Sequence, residues 1–510
     1  MWGVVLGDID KVEKPHECKE FEINQIKGLN DCKAFASRCL SYPGFVSLRF
    51  GSDFFLLLIY VLLQLLLPFR IIISLLSCFN SSYSTAPSSF PFEHQLQWKL
   101  SRHKLPDYLS SNSASSHPHT FKMHNIVILG GNFSGVSTAH YLLRHVLPLL
   151  NSNTDKPSYK VTLVSPSDHT FFKVGAPRAL MGTKKTELLA PFHSLTEAFS
   201  SYPASTFTFI LGSAITLDSA TQTITVKTEK EETVHYDSLV IATGTTSNSP
   251  LWTLHSTFAE TESAFEDLNS RLSTAKTIFI AGGGPAGVET TGEIGYKYKG
   301  QGKSITLLSG ADALLSYLKH STVSRIAESQ LNGMGVKTVH KLRVVSSTVV
   351  GGGKTEVVLS DGSKQVVDLY IDATGGTPNS SFLPPSWLDS RKKVVTESTT
   401  LRATAAGANI YSIGDVASFS KGNVPDAMWA VNALGYSIYE DLSKGGKGLK
   451  EKRYKQIQAS MGVVPIGPKG GVGVLFGWRV PSWFVWLIKA RGFMMENAPA
   501  LATGASVLKA

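Results

Sequence analysis

Thiol groups are scarce in this sequence of 510 residues and absent from most of it. The four cysteines, Cys18, Cys32, Cys39 and Cys78, all lie before residue 80. The rest of the chain can therefore hold neither a redox-active disulfide nor a cysteine zinc site. The fourteen histidines are scattered, without cysteines or acids at the spacing of metal ligands, so we expect no metal site.

Charged residues make up only 17% of the chain, and the net charge of +10 is concentrated at one end. Residues 444–510 hold 11 Lys or Arg and 2 Glu, which leaves only about +1 for everything before them. Such local basicity fits a membrane surface or an anionic ligand as well as nucleic acid. The 43% hydrophobic content excludes a disordered chain.

The first 122 residues divide into three segments by composition. Residues 1–53 lack motifs, 54–79 are hydrophobic, and 80–122 form a linker rich in Ser, Pro and His. The first part of the hydrophobic segment would span about 24 Å as a helix, short of the ~30 Å hydrocarbon core, before a proline and an arginine follow. We predict a membrane-attached segment, either a transmembrane helix or re-entrant. A buried core helix, or a protein that starts at Met123, is the alternative.

From residue 124 onward, short β-branched runs alternate with helical stretches, the pattern of a parallel sheet with crossover helices. Two of the runs lead directly into glycine-rich turns. The fold class is therefore predicted as α/β, with a dinucleotide-binding fold that occurs twice. The predicted strands are 125–129, 160–164, 238–242, 277–281, 304–308 and 369–373.

The first glycine-rich turn follows the strand at 125–129 and comprises Gly130, Gly131, Asn132, Phe133, Ser134 and Gly135. A pyrophosphate at a helix N-terminus requires a tight turn, a close backbone approach and a small residue where helix meets strand. Asn132 replaces the glycine nearest the phosphates, and we expect the turn to persist because Asn tolerates a positive φ. Ser165 stands where an acid would bind the ribose, which puts ribose recognition in doubt.

The second turn, residues 282–287, supplies all three expected glycines after an apolar strand. We predict that Gly282, Gly284 and Gly287 hold a second pyrophosphate. Glu289 is placed in the first turn of the next helix, where it either caps amides, contacts the nicotinamide ribose or only offsets the helix dipole. The following strand ends at Ser309, again without an acid, so NADH and NADPH both remain open.

Two phosphate-binding turns predict two dinucleotides, and nicotinamide with flavin is the pair between which hydride can pass. Three further segments, at 236–244, 372–375 and 410–416, extend the pattern. Together they resemble the pyridine nucleotide-disulphide oxidoreductases, flavoproteins with two dinucleotide-binding domains. The resemblance implies an FAD site that includes Thr243, Gly244 and Asp415, the last on the flavin ribitol.

The resemblance also implies the domain limits. An FAD-binding domain would occupy 124–250 and 373–430, with an NAD(P)-binding domain at 251–372 inserted in it. Residues 431–510 would form a C-terminal α+β region with a basic aromatic tail.

Within this superfamily, the sequence resembles the apoptosis-inducing-factor homologues, and most of all their ferroptosis-suppressor branch. The resemblance rests on the segments 168–186, 282–294 and 473–493. It departs from that branch at Asn132 and Ser165, and Met1-Trp2-Gly3 cannot be a myristoylation site.

Four site residues are implied by this closer resemblance. Arg178 would contact the flavin, and the backbone of Ala214 would hold the adenine. Glu289 would belong to the nicotinamide site, and Lys489 would lie near the flavin and the acceptor. Glu289 and Lys489 are therefore the predicted catalytic residues.

The lack of a thiol pair means that electrons must leave the flavin directly, to a quinone or dioxygen. We predict an FAD-dependent NAD(P)H oxidoreductase of the quinone-reductase type, which uses NADH or NADPH as substrate. Its predicted location is an intracellular membrane, mitochondrial or another lipid surface. A type II NADH dehydrogenase and a redox-sensing or death-signalling protein with little turnover are the alternatives.

Aromatic residues interleave with cations in the C-terminal tail. This pattern predicts an interfacial patch that binds membrane lipid, with packing on the flavin domain or a homodimer contact as the alternative. No nucleic-acid partner is favoured, because no base-stacking fold is evident. The aromatic and apolar residues are Trp478, Pro481, Trp483, Phe484, Trp486 and Leu487, and the cations are Arg479, Lys489 and Arg491.

Overall fold

The computed structural model describes residues 123–152, 158–445 and 447–507. The predicted N-terminal extension, hydrophobic segment and linker lie outside the described residues, so the membrane-attached segment at 54–79 stays a prediction. Within the described part of the chain, no helix is both long and apolar enough to cross a membrane.

The described residues contain 22 strands, numbered here in chain order. They are β1 His124–Leu129, β2 Tyr159–Ser165, β3 His169–Phe171, β4 Phe192–Ser194, β5 Phe207–Leu211, β6 Ser213–Asp218, β7 Thr223–Lys227, β8 Glu231–His235, β9 Ser238–Ile241, β10 Thr245–Ser247, β11 Thr277–Ala281, β12 Ser304–Ser309, β13 Val336–His340, β14 Val344–Val349, β15 Thr355–Leu359, β16 Lys364–Val367, β17 Leu369–Asp372, β18 Gly376–Pro378, β19 Ile410–Ser412, β20 Gly462–Pro465, β21 Gly471–Leu475 and β22 Trp478–Val480.

Twelve α-helices occur in the same described residues. They are α1 Phe133–Tyr141, α2 Leu147–Leu150, α3 Ala176–Ala179, α4 Lys185–Leu188, α5 Leu195–Phe199, α6 Phe258–Thr274, α7 Pro285–Lys297, α8 Ser321–Asn332, α9 Val424–Met428, α10 Val431–Ser443, α11 Ser482–Val485 and α12 Ala498–Ala502. Short π-helical segments, Leu142–Val146 and Trp486–Ala490, continue α1 and α11.

The first sheet is parallel and has the strand order β19-β9-β1-β2-β5. Ile126 of β1 lies opposite Val161 of β2 on one side and Ser238 of β9 on the other. Residues 126–129 are at most 1% exposed, as expected for a central parallel strand covered on both faces. All nine residues of α1 are buried against this sheet and its neighbours.

The second sheet is also parallel, with the order β13-β12-β11-β17. Ile278 of β11 lies between Ile305 of β12 and Leu369 of β17. The six strands predicted from the sequence are present, with ends that differ by at most one residue. The predicted α/β class with two Rossmann-like folds is thereby confirmed.

The chain passes between the two sheets through a pair of short antiparallel strands. β10 carries it out of the first sheet, β18 carries it back, and Thr245 lies opposite Pro378. β19 then pairs with β9, so the chain segments before and after the second sheet lie side by side in the first sheet. This path brings the Gly414-Asp415 turn to the carboxyl edge of the first sheet, where β1 also ends.

The C-terminal region adds an antiparallel sheet of β20, β21 and β22, which packs on α7. Val464 and Val474 share a buried cluster with Val288 and Ile294 of that helix. A Cβ on Gly292 would lie 2.8 Å from the amide nitrogen of Gly467, so a glycine is needed for this close approach. The C-terminal residues thus lie directly on α7, the helix that follows the second glycine-rich turn.

Candidate active site

The two glycine-rich turns have the same geometry. Gly130 has a φ of +116° and Gly282 a φ of +126°, a range that L side chains rarely adopt. A Cβ on Gly130 would lie 2.3 Å from the carbonyl oxygen of Ala242, and one on Gly282 would lie 2.4 Å from that of Ala373. Each first glycine is therefore required both by its backbone conformation and by the adjacent strand.

The third glycine of each turn packs a helix onto a strand end. A Cβ on Gly135 would lie 1.8 Å from the carbonyl oxygen of Gly130, and one on Gly287 would lie 1.9 Å from that of Gly282. A methyl group at either position would force the helix away from the turn. The spacing of the glycines thus encodes two equivalent strand–turn–helix units.

Both helices that follow these turns begin without a side-chain cap. Asn132 precedes α1 and Gly284 precedes α7, and neither provides a side-chain hydrogen bond to the first turn. The first intrahelical bonds are donated by Val136 and Val288. The amides before them fit a dinucleotide pyrophosphate, because uncapped N-terminal amides and the helix dipole favour a bound anion.

Asn132 does not adopt the left-handed conformation that the sequence led us to allow for. Its φ of −127° and ψ of −167° are extended, because Gly130 already makes the tight turn. Its side-chain oxygen accepts hydrogen bonds from Thr170 Oγ1 at 2.8 Å and from the Phe171 amide at 3.2 Å. The turn therefore persists as expected but without a positive φ at Asn132, and the carboxamide instead ties the turn to β3.

Serine side chains occupy the ends of both second strands. Ser165 and Ser309 are at most 2% exposed, and their Oγ atoms lie 2.5 and 2.4 Å from where a Cβ would stand on Gly131 and Gly283. Ser165 Oγ donates to the carbonyl of Ser167. Both hydroxyls thus belong to buried turns, and neither position offers a carboxylate to a ribose.

Asp415 is placed beside the first phosphate-binding turn. Gly414 has a φ of +79°, and a Cβ there would lie 2.6 Å from Ser134 Oγ, so this turn packs on the start of α1. Asp415 Oδ2 lies 3.1 Å from Lys173 Nζ. Sequence reasoning missed Lys173, although it belongs to the 168–186 segment on which the family resemblance rests.

The two predicted catalytic residues are in direct contact. Lys489 Nζ donates to Glu289 Oε1 at 2.5 Å, and the side chains are 14% and 4% exposed. Burial raises the pKa of Glu289 above its usual value, and the ammonium of Lys489 opposes that rise. The structure therefore brings together two residues that are 200 positions apart in the sequence.

Glu289 does not lie in the first turn of its helix. α7 begins at Pro285 and has no acidic residue in its first turn, so the alternative that Glu289 caps amides there was wrong. Its carboxylate is buried against Lys489 instead, one turn along the helix.

A second buried ion pair, which the sequence did not predict, lies one turn further along α7. Arg178 Nε and Nη2 donate to the two carboxylate oxygens of Glu293 at 2.5 and 3.0 Å. Arg178 also donates to the carbonyl of Ala490 and lies 4.9 Å from the ring centre of Phe493. Burial raises the pKa of Glu293 and Arg178 lowers it. The flavin contact implied for Arg178 stays a prediction.

The other predicted flavin residues are Ala214 on β6 and Thr243 and Gly244 in the connection between β9 and β10. Ala214 is half-buried on β6, next to an irregularity in its pairing with β7. Thr243 Oγ1 donates to the carbonyl of Asn379 at 2.6 Å, and Gly244 has a φ of +66°. Their contacts with FAD stay predictions.

The aromatic residues of the C-terminal tail separate into an exposed and a buried set. The tryptophan patch, defined as Phe476, Trp478, Trp483 and Trp486, is 41–73% exposed. Phe484 is only 8% exposed and belongs to the core, so its prediction as part of the surface patch was wrong. It turns inward because α11 gives successive residues different faces.

Comparisons with known proteins show the family to which this chain is related. The chain matches the family model described as pyridine nucleotide-disulphide oxidoreductase over residues 124–435. It is 36% identical over 404 residues to oxidoreductase phnG of Penicillium herquei, covering 74% of this chain and 96% of that protein. It is 26% identical to ferroptosis suppressor protein 1 of Xenopus tropicalis, covering 73% and 94%. The sulfide:quinone oxidoreductase of Aquifex aeolicus superposes with a TM-score of 0.57 at 16% identity, covering 75% and 92%.

The paired Rossmann-like folds and their two phosphate-binding turns define a flavoprotein oxidoreductase that uses a pyridine nucleotide. The chain belongs to the pyridine nucleotide-disulphide oxidoreductase family. The predicted cofactors, FAD and a nicotinamide dinucleotide, are confirmed. The relatives named apoptosis-inducing factor 1 and ferroptosis suppressor protein 1 are 25–26% identical, and assignment to that branch stays a prediction.

Proposed function

We propose that the protein passes hydride from NAD(P)H to FAD and electrons onward to a quinone-like acceptor at an intracellular membrane surface. The observation that carries this proposal is the π-helical segment Trp486–Ala490. It begins at a residue of the exposed tryptophan patch and contains Lys489, which is buried against Glu289. One short segment thus connects a surface suited to lipid with the charged pair on the nucleotide-binding helix.

Bound FAD supplies the chemistry that accepts a hydride and gives up two electrons. The chain supplies binding and charge. The first-turn amides of α1 and α7 hold the two pyrophosphates, and Lys173 orients Asp415 for the ribitol. Reduction of a quinone to a hydroquinone takes the two electrons of the hydride, its proton, and one further proton from solvent. Lys489 Nζ carries an exchangeable proton and a positive charge where negative charge develops.

The route of the electrons follows from the distribution of cysteine. Beyond residue 78 the sequence contains no thiol, so no disulfide can relay electrons from the FAD-binding fold. A direct transfer to a small acceptor is the remaining route. Within the buried pair, the ammonium of Lys489 favours an acceptor that gains negative charge on reduction, as a quinone does.

The tryptophan patch supports a membrane as the place of reaction. Three exposed tryptophans lie close in sequence to Arg479, which is itself exposed. Tryptophan at headgroup depth with neighbouring cations favours an anionic lipid surface. The predicted lipid partner and intracellular membrane location belong to this proposal, and a homodimer through the patch is the competing outcome.

An anaerobic absorbance titration of the full-length flavoprotein tests the acceptor. NADH or NADPH should bleach the flavin absorbance, and a short-chain ubiquinone should restore it quickly. K489M should slow the restoration by roughly 10²–10³-fold, whereas K455M, which removes an exposed lysine of the same region, should not. Bleaching that persists after quinone, with long-wavelength charge-transfer absorbance, would instead favour the redox-sensing function.

A flotation assay with phosphatidylserine vesicles tests the membrane surface, using the chain from Met123 onward so that the predicted membrane-attached segment at 54–79 cannot hold it on the vesicle. The double variant W478S/W483S should lose vesicle binding while its flavin is still reduced by nucleotide. Undiminished flotation of this variant would refute the role of the patch. A change of oligomeric state without any change in flotation would assign the patch to a homodimer.

A further inference from the structure

The carboxyl end of β12 is where a Rossmann fold discriminates between its two nicotinamide nucleotides. An acid at this position binds the ribose 2′-hydroxyl of NADH, whereas a nearby arginine accommodates the 2′-phosphate of NADPH. Here β12 ends at Ser309, which is only 1% exposed. Its hydroxyl oxygen accepts a hydrogen bond from the Ala311 amide at 3.3 Å. The turn therefore presents no carboxylate from the position that usually selects NADH.

Arg343 reaches this strand end from the loop that follows β13. Its Nε and Cγ lie 2.6 and 2.7 Å from where a Cβ would stand on Gly310. The Arg343 side chain thus lies across Gly310, in the space that the side chain of any larger residue at this position would occupy. Gly310 has an ordinary φ, so its small size rather than backbone strain explains why a glycine suits this position.

Backbone hydrogen bonds fix this loop on the turn after β12. The amide of Leu342 donates to the carbonyl of Ser309 at 3.3 Å, and that of Lys341 donates to Ala311 at 3.2 Å. On the other side of the loop, the backbone carbonyl of Arg343 accepts a hydrogen bond from the Ser360 amide at 2.9 Å, and the Arg343 amide donates one to Ser360 Oγ at 3.2 Å. The guanidinium is therefore attached to a backbone held from two directions.

The charges around this turn leave the guanidinium available to an anion. Arg343 is exposed and forms no ion pair among the described residues. The nearest acid of the turn, Asp312, lies 3.5 Å from Lys341, and their side chains are 83% and 74% exposed. Such an exposed pair is weak, so the turn offers one unpaired arginine and one loosely paired lysine.

We propose that Arg343, lying across Gly310 at the end of β12, binds the 2′-phosphate of NADPH and makes this nucleotide the preferred substrate. This inference rests on the proposed function, because it assigns the nucleotide of the same site. Arginine suits the task because its planar fork donates two hydrogen bonds to one phosphate. Lys341 adds a second cation on the same side of the turn.

Calorimetric titration of the full-length holoprotein with 2′,5′-ADP and with 5′-AMP isolates this contact, because the two probes differ in the 2′-phosphate. The wild-type protein should bind 2′,5′-ADP at least tenfold more tightly. R343A should lose roughly 10- to 100-fold of that affinity, with 5′-AMP unchanged. K299A, which removes an exposed lysine between α7 and the start of β12 at the opposite edge of the sheet, should change neither. R343K should recover only part of the loss.

Anaerobic flavin reduction separates failure of this inference from failure of the proposed function. If NADPH reduces the flavin at lower concentration than NADH, and R343A removes that advantage alone, the inference holds. If both nucleotides reduce the flavin equally, or R343A weakens both, the assignment of Arg343 is wrong while the oxidoreductase stands. If neither nucleotide reduces the flavin, both proposals are overturned.

Discussion

Removal of the Lys489 ammonium should destabilise the protein in a way that depends on pH. K489M leaves the Glu289 carboxylate, 4% exposed, without its cation. Breaking a buried ion pair from one side costs about 3–5 kcal/mol, because the remaining charge is uncompensated. E289Q/K489M removes both charges, so it should recover most of that loss.

The pH dependence follows from the pKa of Glu289. Burial and the neighbouring Glu293 raise this pKa above 4.5, and only Lys489 lowers it. The folded state therefore holds a proton that the unfolded chain releases, and stability falls as pH rises from 4.5 through the folded pKa. Without Lys489 that window widens upward. K489M should thus lie close to the double variant at pH 5 and fall below it at pH 8.

Thermal unfolding, followed by tryptophan fluorescence and by release of fluorescent flavin, measures this difference. The unfolding entropy of a body this large gives about 1 °C in Tm per kcal/mol, so the two variants should differ by about 3–5 °C at pH 8. E289Q alone keeps a paired partner for Lys489 through its amide oxygen and serves as a control for packing. Equal Tm values of K489M and E289Q/K489M at pH 8 would refute the buried-pair argument.

Two further predictions concern packing around the first Rossmann-like fold. Burial lowers the pKa of His140 to about 4, so between pH 6.5 and that value the unfolded chain binds a proton that the folded protein does not. Urea unfolding should therefore show that the free energy of unfolding falls by about 2 kcal/mol between pH 7.5 and pH 5. H140Q should lack this loss. G135A places a methyl group 1.8 Å from the carbonyl oxygen of Gly130 and should lose flavin, measured as the ratio of flavin to protein absorbance, whereas G351A at an open position should retain it.

The strands and phosphate-binding turns could be predicted because their determinants are local. Hydrophobic runs of five residues and fixed glycine spacing specify a strand–turn–helix unit within a few positions. The conformation of Asn132 could not be predicted in this way. Whether that position needs a positive φ depends on how Gly130 closes the turn, and the contact of its carboxamide with Thr170 is 38 residues away in sequence.

The ion pairs of the site show a different limit. Arg178 and Glu293 are separated by 115 residues, and Lys173 and Asp415 by 242. No spacing rule connects such residues, because the sheet topology alone brings them together. Lys489 was identified only through family resemblance, and its contact with Glu289 required the C-terminal sheet to pack on α7.

The placement of these pairs implies that α7 joins three parts of the chain through charge. Its two buried carboxylates, on Glu289 and Glu293, lie one turn apart and would repel each other if both were unpaired. Lys489 from the C-terminal region neutralises the first, and Arg178 from the FAD-binding part of the chain neutralises the second. Because Arg178 also donates to the carbonyl of Ala490, next to Lys489, a shift of α7 on nucleotide binding would disturb both pairs together. The residues that stabilise this junction thus include Lys489 and Glu289, the pair to which the proposed function assigns the chemistry.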